Sequence, residues 1–85
     1  MTGDVTPWVC IGGRLEATLR GGNVDLCLWT VGDRIVWRST AYPRADPLVI
    51  EHGSTARDLQ GLSEAAAAAV GSARRWVLAC RSGTG

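Results

Sequence analysis

The sequence predicts an α+β fold, in which an antiparallel β-meander of four to five strands is followed by one long C-terminal α-helix packed on the apolar face of the sheet. Short runs of alternating apolar and polar residues fill the first half of the chain, and glycine-containing turns separate them. Apolar residues at helical spacing occupy the second half. With 85 residues the chain forms a single domain, 1–85, whose ends at 1–6 and 82–85 we expect to fray.

Composition argues for a globular protein and against several functional classes. Hydrophobic residues make up 46% of the chain and charged residues 20%, which is typical of a folded domain. The net charge of +1 argues against a broad basic surface for duplex DNA. No apolar run reaches the ~20 residues of a membrane span, and the first residues do not resemble a secretory leader, so we expect a cytoplasmic protein. All basic residues are arginine, which we interpret as the codon bias of a GC-rich, bacterial-type genome.

The cysteines do not predict a disulfide framework. Cys10, Cys27 and Cys80 are an odd number and form no C-x-x-C pair. A zinc site that combines all three with His52 would lack the usual closely spaced ligand pairs. We therefore expect reduced thiols, no metal and no cofactor.

Four strands are predicted between residues 8 and 41, and the fourth, at 35–41, is the return strand of a hairpin. Residues 8–11, "WVCI", predict a short buried strand that ends at two glycines. Residues 14–20, "RLEATLR", alternate most clearly between apolar and polar side chains. A turn at 21–23, with glycine and asparagine tolerating positive φ, leads to the next strand at 24–31.

The register of the following hairpin depends on a two-residue turn. Gly32 and Asp33 fit a type II′ turn, which places Trp29 opposite Val36 and Leu28 opposite Trp37. One sheet face then collects Leu15, Ala17, Leu19, Val24, Leu26, Leu28, Ile35 and Trp37, and we predict that this face is the core. The other face collects Arg14, Glu16, Thr18, Arg20, Asp25, Cys27, Trp29, Val31, Arg34, Val36 and Arg38.

The remaining sequence predicts a loop, a last strand and the C-terminal helix. Residues 42–47 form a loop because they contain two prolines, and residues 48–52 predict an edge strand that Gly53 breaks. Ser54 or Thr55 caps the helix, with Asp58 completing a capping box. The predicted apolar stripe of the helix comprises Leu59, Leu62, Ala66, Ala69, Val70 and Ala73, and continues through Trp76, Val77 and Cys80.

The C-terminal segment is ambiguous. Residues 74–80 fit either a continued helix or a short last strand after Gly71, and the pattern slightly favours the helix.

The second sheet face is the candidate working surface. Trp29, Val31 and Val36 form an apolar island there, and exposed patches of this kind mark contact sites. Arginines border the island, and tryptophan and arginine are enriched at interface hot spots. The interaction residues are Trp29, Val31, Val36, Arg14, Arg34 and Arg38. We expect a non-enzymatic binding module, with no catalytic residues, that acts as a homo-oligomer, most simply a dimer, through this face or the alanine-rich helix face.

Three alternatives remain open. The same face could bind single-stranded nucleic acid or a small nucleotide, with Trp29 stacking on a base and the arginines contacting phosphate. A segment such as the N-terminal strand could instead cover Trp29. An enzyme centred on His52 would need Cys27 or Asp46 to converge with it in one pocket.

Overall fold

The computed structural model describes residues 4–21, 23–43 and 46–82. In chain order the elements are β1 (Val9–Ile11), β2 (Arg14–Leu19), β3 (Val24–Val31), β4 (Arg34–Ala41), β5 (Leu48–Ala56) and α1 (Leu59–Ser82). The five strands form one antiparallel sheet in the order β1-β2-β3-β4-β5, and α1 packs on one face of it. The predicted α+β meander is therefore confirmed, with five strands. Among the described residues, no helix combines the length and apolar character needed to cross a bilayer.

The strand register agrees with the prediction. Trp29 pairs with Val36, and Leu28 with Trp37, around the Gly32 turn. The φ angle of 59° at Gly32 is the positive value that the first central position of a type II′ turn requires. Because successive side chains alternate between sheet faces, this register fixes which residues point towards the helix.

The core lies between α1 and the sheet face beneath it, which we call the inner face. The inner face contributes the predicted apolar residues, including Leu26 and Trp37, and all but the half-buried Leu15 are buried. On the helix, Ala65, Ala69 and Ala73 are completely buried. Their small side chains let the helix backbone lie close to the sheet.

One polar contact crosses this core. The hydroxyls of Ser39, on β4, and Ser72, on α1, are hydrogen-bonded at 2.7 Å, so both buried side chains are satisfied.

The N-terminal segment differs from the prediction. The strand expected to be buried at 8–11 begins at Val9 and is an exposed edge strand, because β2 is its single neighbour. Asp4 and Thr6, which were expected to fray, are hydrogen-bonded to β2 and to Arg20, the residue that follows it. The Arg20 amide donates to the Asp4 carbonyl at 2.9 Å, and the Thr6 amide donates to the Thr18 carbonyl at 2.9 Å. The rest of the predicted N-terminal frayed segment, 1–3, lies outside the described residues.

The junction between β5 and α1 also differs. The predicted break at Gly53 was wrong, since β5 pairs with β4 as far as Ala56 and forms the other sheet edge. The predicted caps Ser54 and Thr55 therefore lie within the strand. Asp58 is the N-cap instead, and its carboxylate accepts a hydrogen bond from the Gly61 amide at 2.6 Å.

The helix runs without interruption through 74–80, so the alternative last strand does not form. Ser82 is its last residue, whereas the remaining part of the predicted C-terminal frayed segment, 83–85, lies outside the described residues. The predicted apolar stripe is wrong at its two ends, because Leu59 and Cys80 are exposed. Trp76, like Trp8 at the other end of the chain, is half-buried against the core.

Candidate functional site on the outer face of the sheet

The outer face is the side of the sheet turned away from α1. The described elements comprise one sheet and one helix, so this face carries no second layer of secondary structure. The N-terminal strand β1 extends the sheet edge beside β2 and does not lie across β3. The half-buried Trp29 ring thus lies within a five-stranded face that has no covering element among the described residues.

Trp29 is flanked by two arginines from the neighbouring strands. The guanidinium carbon of Arg14, on β2, lies 5.4 Å from the ring centroid, and that of Arg38, on β4, lies 5.2 Å away. Both distances are within the range of a cation–π interaction. The Nε atom of Arg38 is buried and has no hydrogen-bond partner among the residues described.

Four of the six predicted interaction residues are therefore brought together. Val36 lies directly across from Trp29 and is two residues from Arg38 on β4, whereas Arg14 lies at the other side of Trp29, on β2. The other two lie at the hairpin end, where Val31 pairs with Arg34. Val31 is 56% exposed, and one Nη atom of Arg34 lies 3.2 Å from both the carbonyl and the hydroxyl of Ser54.

Further apolar side chains enlarge this surface. Ile11 pairs with Arg14, Val9 pairs with Glu16, and both apolar residues are about half exposed. The alternation within "WVCI" was the sequence signal available for these two residues. It did not show that β1 is an edge strand or that Val9 and Ile11 lie on the outer face. Val49, across from Thr40, adds a third exposed apolar residue at the other side.

Charges of both signs flank the middle of β3. Glu16, Cys27 and Arg38 are neighbours across β2, β3 and β4. Burial raises the pKa of the Cys27 thiol, the positive charges of Arg14 and Arg38 partly oppose this, and Glu16 adds to it. Cys27 is therefore protonated at neutral pH, and a protonated thiol is a poor nucleophile.

The residues of the hypothetical enzyme site do not converge. Arg38 separates Cys27 from His52, so these two lie two strand spacings apart, about 10 Å. Asp46 lies in the loop before β5. The four hypothetical zinc ligands are also dispersed, since Cys10 is on β1 and Cys80 is near the end of α1.

The alanine-rich helix face is the other predicted contact surface. Its central residues, Ala65, Ala69 and Ala73, are already buried against the sheet within one chain. A second copy cannot reach them unless α1 leaves the sheet. The outer face is therefore the accessible one of the two predicted surfaces.

The outer face offers three kinds of contact to a partner. The Trp29 ring and its aliphatic neighbours offer apolar area, and the Arg14 and Arg38 guanidiniums offer planar donors to carboxylate or phosphate oxygens. Glu16 and Asp25 offer acceptors of opposite charge on the same surface. Comparison with known proteins does not identify the partner, because no family model, curated protein or solved structure matches this chain.

Proposed function

We propose that this chain is a small non-enzymatic binding module that forms a homodimer through the outer face of its sheet. The observation that carries the proposal is the half-buried Trp29 ring between Arg14 and Arg38 on a face without a second layer. Tryptophan and arginine are the residue types that dominate interface hot spots. Association also adds buried area that a small domain lacks by itself.

The outer face carries charges of both signs, so two copies of this face can pair opposite charges with each other. In a two-fold dimer the same patch of both copies meets face to face. With the axis between the sheets and parallel to β3, β2 of one copy would lie over β4 of the other. Glu16 and Arg38 flank Cys27 on opposite sides, so Glu16 of each copy would face Arg38 of the other. This pairing would occur twice, with the two Trp29 rings near the axis.

We further propose a reducing compartment, such as the cytoplasm. Cys10 and Cys80 are exposed free thiols. Disulfides form and persist in oxidising compartments, where exposed thiols of this kind are prone to oxidation.

The first test measures association and Trp29 exposure together. Light scattering over a concentration series is expected to show a dimer for the unmodified chain and a monomer for Trp29→Ala. Leu59→Ala is the matched control, because it removes a large apolar side chain that is 87% exposed but lies on the helix. The difference in acrylamide quenching between the unmodified chain and Trp29→Phe reports the exposure of Trp29. Quenching of Trp29 should decrease as the dimer forms. A monomer at tens of micromolar would refute the proposal.

A charge-reversal experiment tests the dimer register. Glu16→Arg alone places arginine opposite arginine at both contacts, and Arg38→Glu alone places glutamate opposite glutamate. Each variant is therefore expected to be monomeric. An equimolar mixture pairs opposite charges at both contacts and should recover a heterodimer. If neither variant weakens association, the copies meet in another register or on another surface.

Single-stranded nucleic acid is the second candidate, favoured by the same cluster of tryptophan and arginines. Against it, both arginines already lie over the Trp29 ring, and Glu16 and Asp25 would repel phosphate. Its expected signature is low-salt binding of a labelled oligothymidine that weakens as salt rises and that Glu16→Arg strengthens. Binding that is absent at low salt would exclude this candidate.

A further inference from the structure

A second candidate site lies on the helix side of the sheet, beside the first turn of α1. It is a pocket of about 420 Å³, within the size range of small-molecule sites. Leu15, Leu28 and Ile35, from β2, β3 and β4, line the sheet side, and Leu59 and Leu62 line the helix side.

The pocket exists because one helix does not cover five strands. α1 packs mainly on β4 and β5, and among the described residues it makes no contact with β1. The inner face of β1 and β2 is consequently open at this end, where Leu15 is half-buried and Cys10 is exposed. Leu28 and Ile35 are buried, so the floor of the pocket is continuous with the core. Leu59, at the mouth, is the most exposed of the large apolar residues described.

The charged groups that line the pocket already have partners within the chain, and the Arg14 guanidinium among them lies over the Trp29 ring. The Asp58 carboxylate accepts the Gly61 amide at 2.6 Å, and an Arg57 Nη atom donates to the Gly32 carbonyl at 2.9 Å. The small polar groups that line the pocket are the Thr30 hydroxyl, on the same face as Ile35, and the Cys10 thiol, on the same face as Leu15. A charged ligand would lose its hydration here without gaining an uncommitted counter-charge.

We propose that this pocket binds a small neutral molecule with an aliphatic body and one hydrogen-bonding group, of the chemical class of a medium-chain alcohol. The aliphatic walls match the body of such a ligand, and the Thr30 hydroxyl can exchange a hydrogen bond with its polar group. Arg14 and Trp29 of the outer face also contribute to the lining, but the aliphatic walls lie on the helix side of the sheet.

Cys10 provides a reporter for the test, and Cys80, near the other end of α1, is an internal control. The rate at which N-ethylmaleimide alkylates each thiol is followed by peptide mass spectrometry with increasing 1-octanol. If only the free pocket reacts, the Cys10 rate should fall about tenfold at an octanol concentration ten times the Kd, whereas the Cys80 rate stays constant. Octanoate and octylammonium, with the same chain length and opposite charges, should protect Cys10 much less.

Two variants connect this protection to the pocket. Leu15→Trp fills the space with a larger side chain, and Leu59→Glu adds a charge at the mouth at an exposed position where the fold tolerates it. Both should abolish protection of Cys10, while Leu48→Glu, an exposed leucine at the far end of β5, should retain it. The proposal is overturned if Cys10 is not protected saturably, if Cys80 is protected equally, if octanoate protects as well as octanol, or if Leu59→Glu has no effect.

Discussion

At the scale of single residues, Gly53 and Gly71 have different structural roles. A Cβ atom at Gly53 would lie 2.8 Å from Nε1 of Trp37, because the indole passes across this position of β5. Glycine here makes room for the largest side chain of the core. At Gly71, in α1, the nearest atom that a Cβ would meet is an Nη atom at the end of the flexible Arg75 side chain, at 3.3 Å.

Substitution by alanine should therefore have opposite effects on stability at these two glycines. We expect Gly53→Ala to lower the free energy of unfolding by about 1–3 kcal/mol, because the indole or β5 must move. Gly71→Ala should raise it by about 0.5–1 kcal/mol, since alanine favours a helix interior. Urea unfolding at one protein concentration measures both changes. A Gly53→Ala variant as stable as the unmodified chain would contradict this account of Trp37 packing.

At the scale of secondary-structure elements, local pattern predicted the hairpin but not the helix start. The β3–β4 register follows from side-chain alternation and the Gly32 turn, both of which are local. The helix start depends on the pairing of β5 with β4, a tertiary contact that keeps Thr55 in the strand and leaves Asp58 as the cap. Gly61 adds a local constraint at the β5–α1 junction, because a Cβ atom there would overlap the Ala56 carbonyl oxygen.

The candidate site also has parts that the local sequence pattern predicted and parts that it did not. The register alone brought Trp29 and Val36 together with Arg14 and Arg38 on the outer face. The exposed position of Ile11 could not be predicted, because it depends on β1 being a sheet edge. The inner pocket was also not predictable, because its existence depends on how far α1 extends over the sheet.

A salt bridge connects β5 and α1, and we expect it to make the stability depend on pH. An Nη atom of Arg75 lies 2.9 Å from a carboxylate oxygen of Glu51, and the Ser72 hydroxyl and this guanidinium lower the pKa of Glu51. A lowered pKa in the folded state stabilises the fold above the ordinary carboxyl pKa of 4.5, and this contribution is lost as the pH falls through the folded-state pKa.

Acid titration of stability can test this coupling. The urea midpoint of the unmodified chain should fall on acidification through this range, and Glu51→Gln should reduce the fall. Arg75→Gln should have a similar, smaller effect, because the Ser72 contribution remains, and combining it with Glu51→Gln should add little. Fully additive effects would show that the two side chains do not act on each other.

At the scale of the whole molecule, one helix is paired with a sheet that is wider than the helix can cover. The inner face is buried in its middle and open at β1, whereas the outer face has no second layer among the described elements. A chain of 85 residues has little core with which to offset these two exposed apolar regions. Association through the outer face would bury one of them and leave the other accessible to a small ligand.

Association of this kind links stability to concentration, because unfolding would then separate two copies. For a folded dimer that unfolds to monomers, each tenfold rise in protein concentration stabilises the dimer by about 1.4 kcal/mol per mole of dimer at 25 °C. The urea midpoint of the unmodified chain should therefore rise steadily between low and high micromolar concentrations. The urea midpoint of Trp29→Ala should not change with protein concentration. It should equal the midpoint that the unmodified chain approaches on dilution, apart from the effect of the substitution on the stability of the monomer. A constant midpoint for the unmodified chain would mean that the outer face stays exposed, and Trp29 would then have to bind a partner other than a second copy.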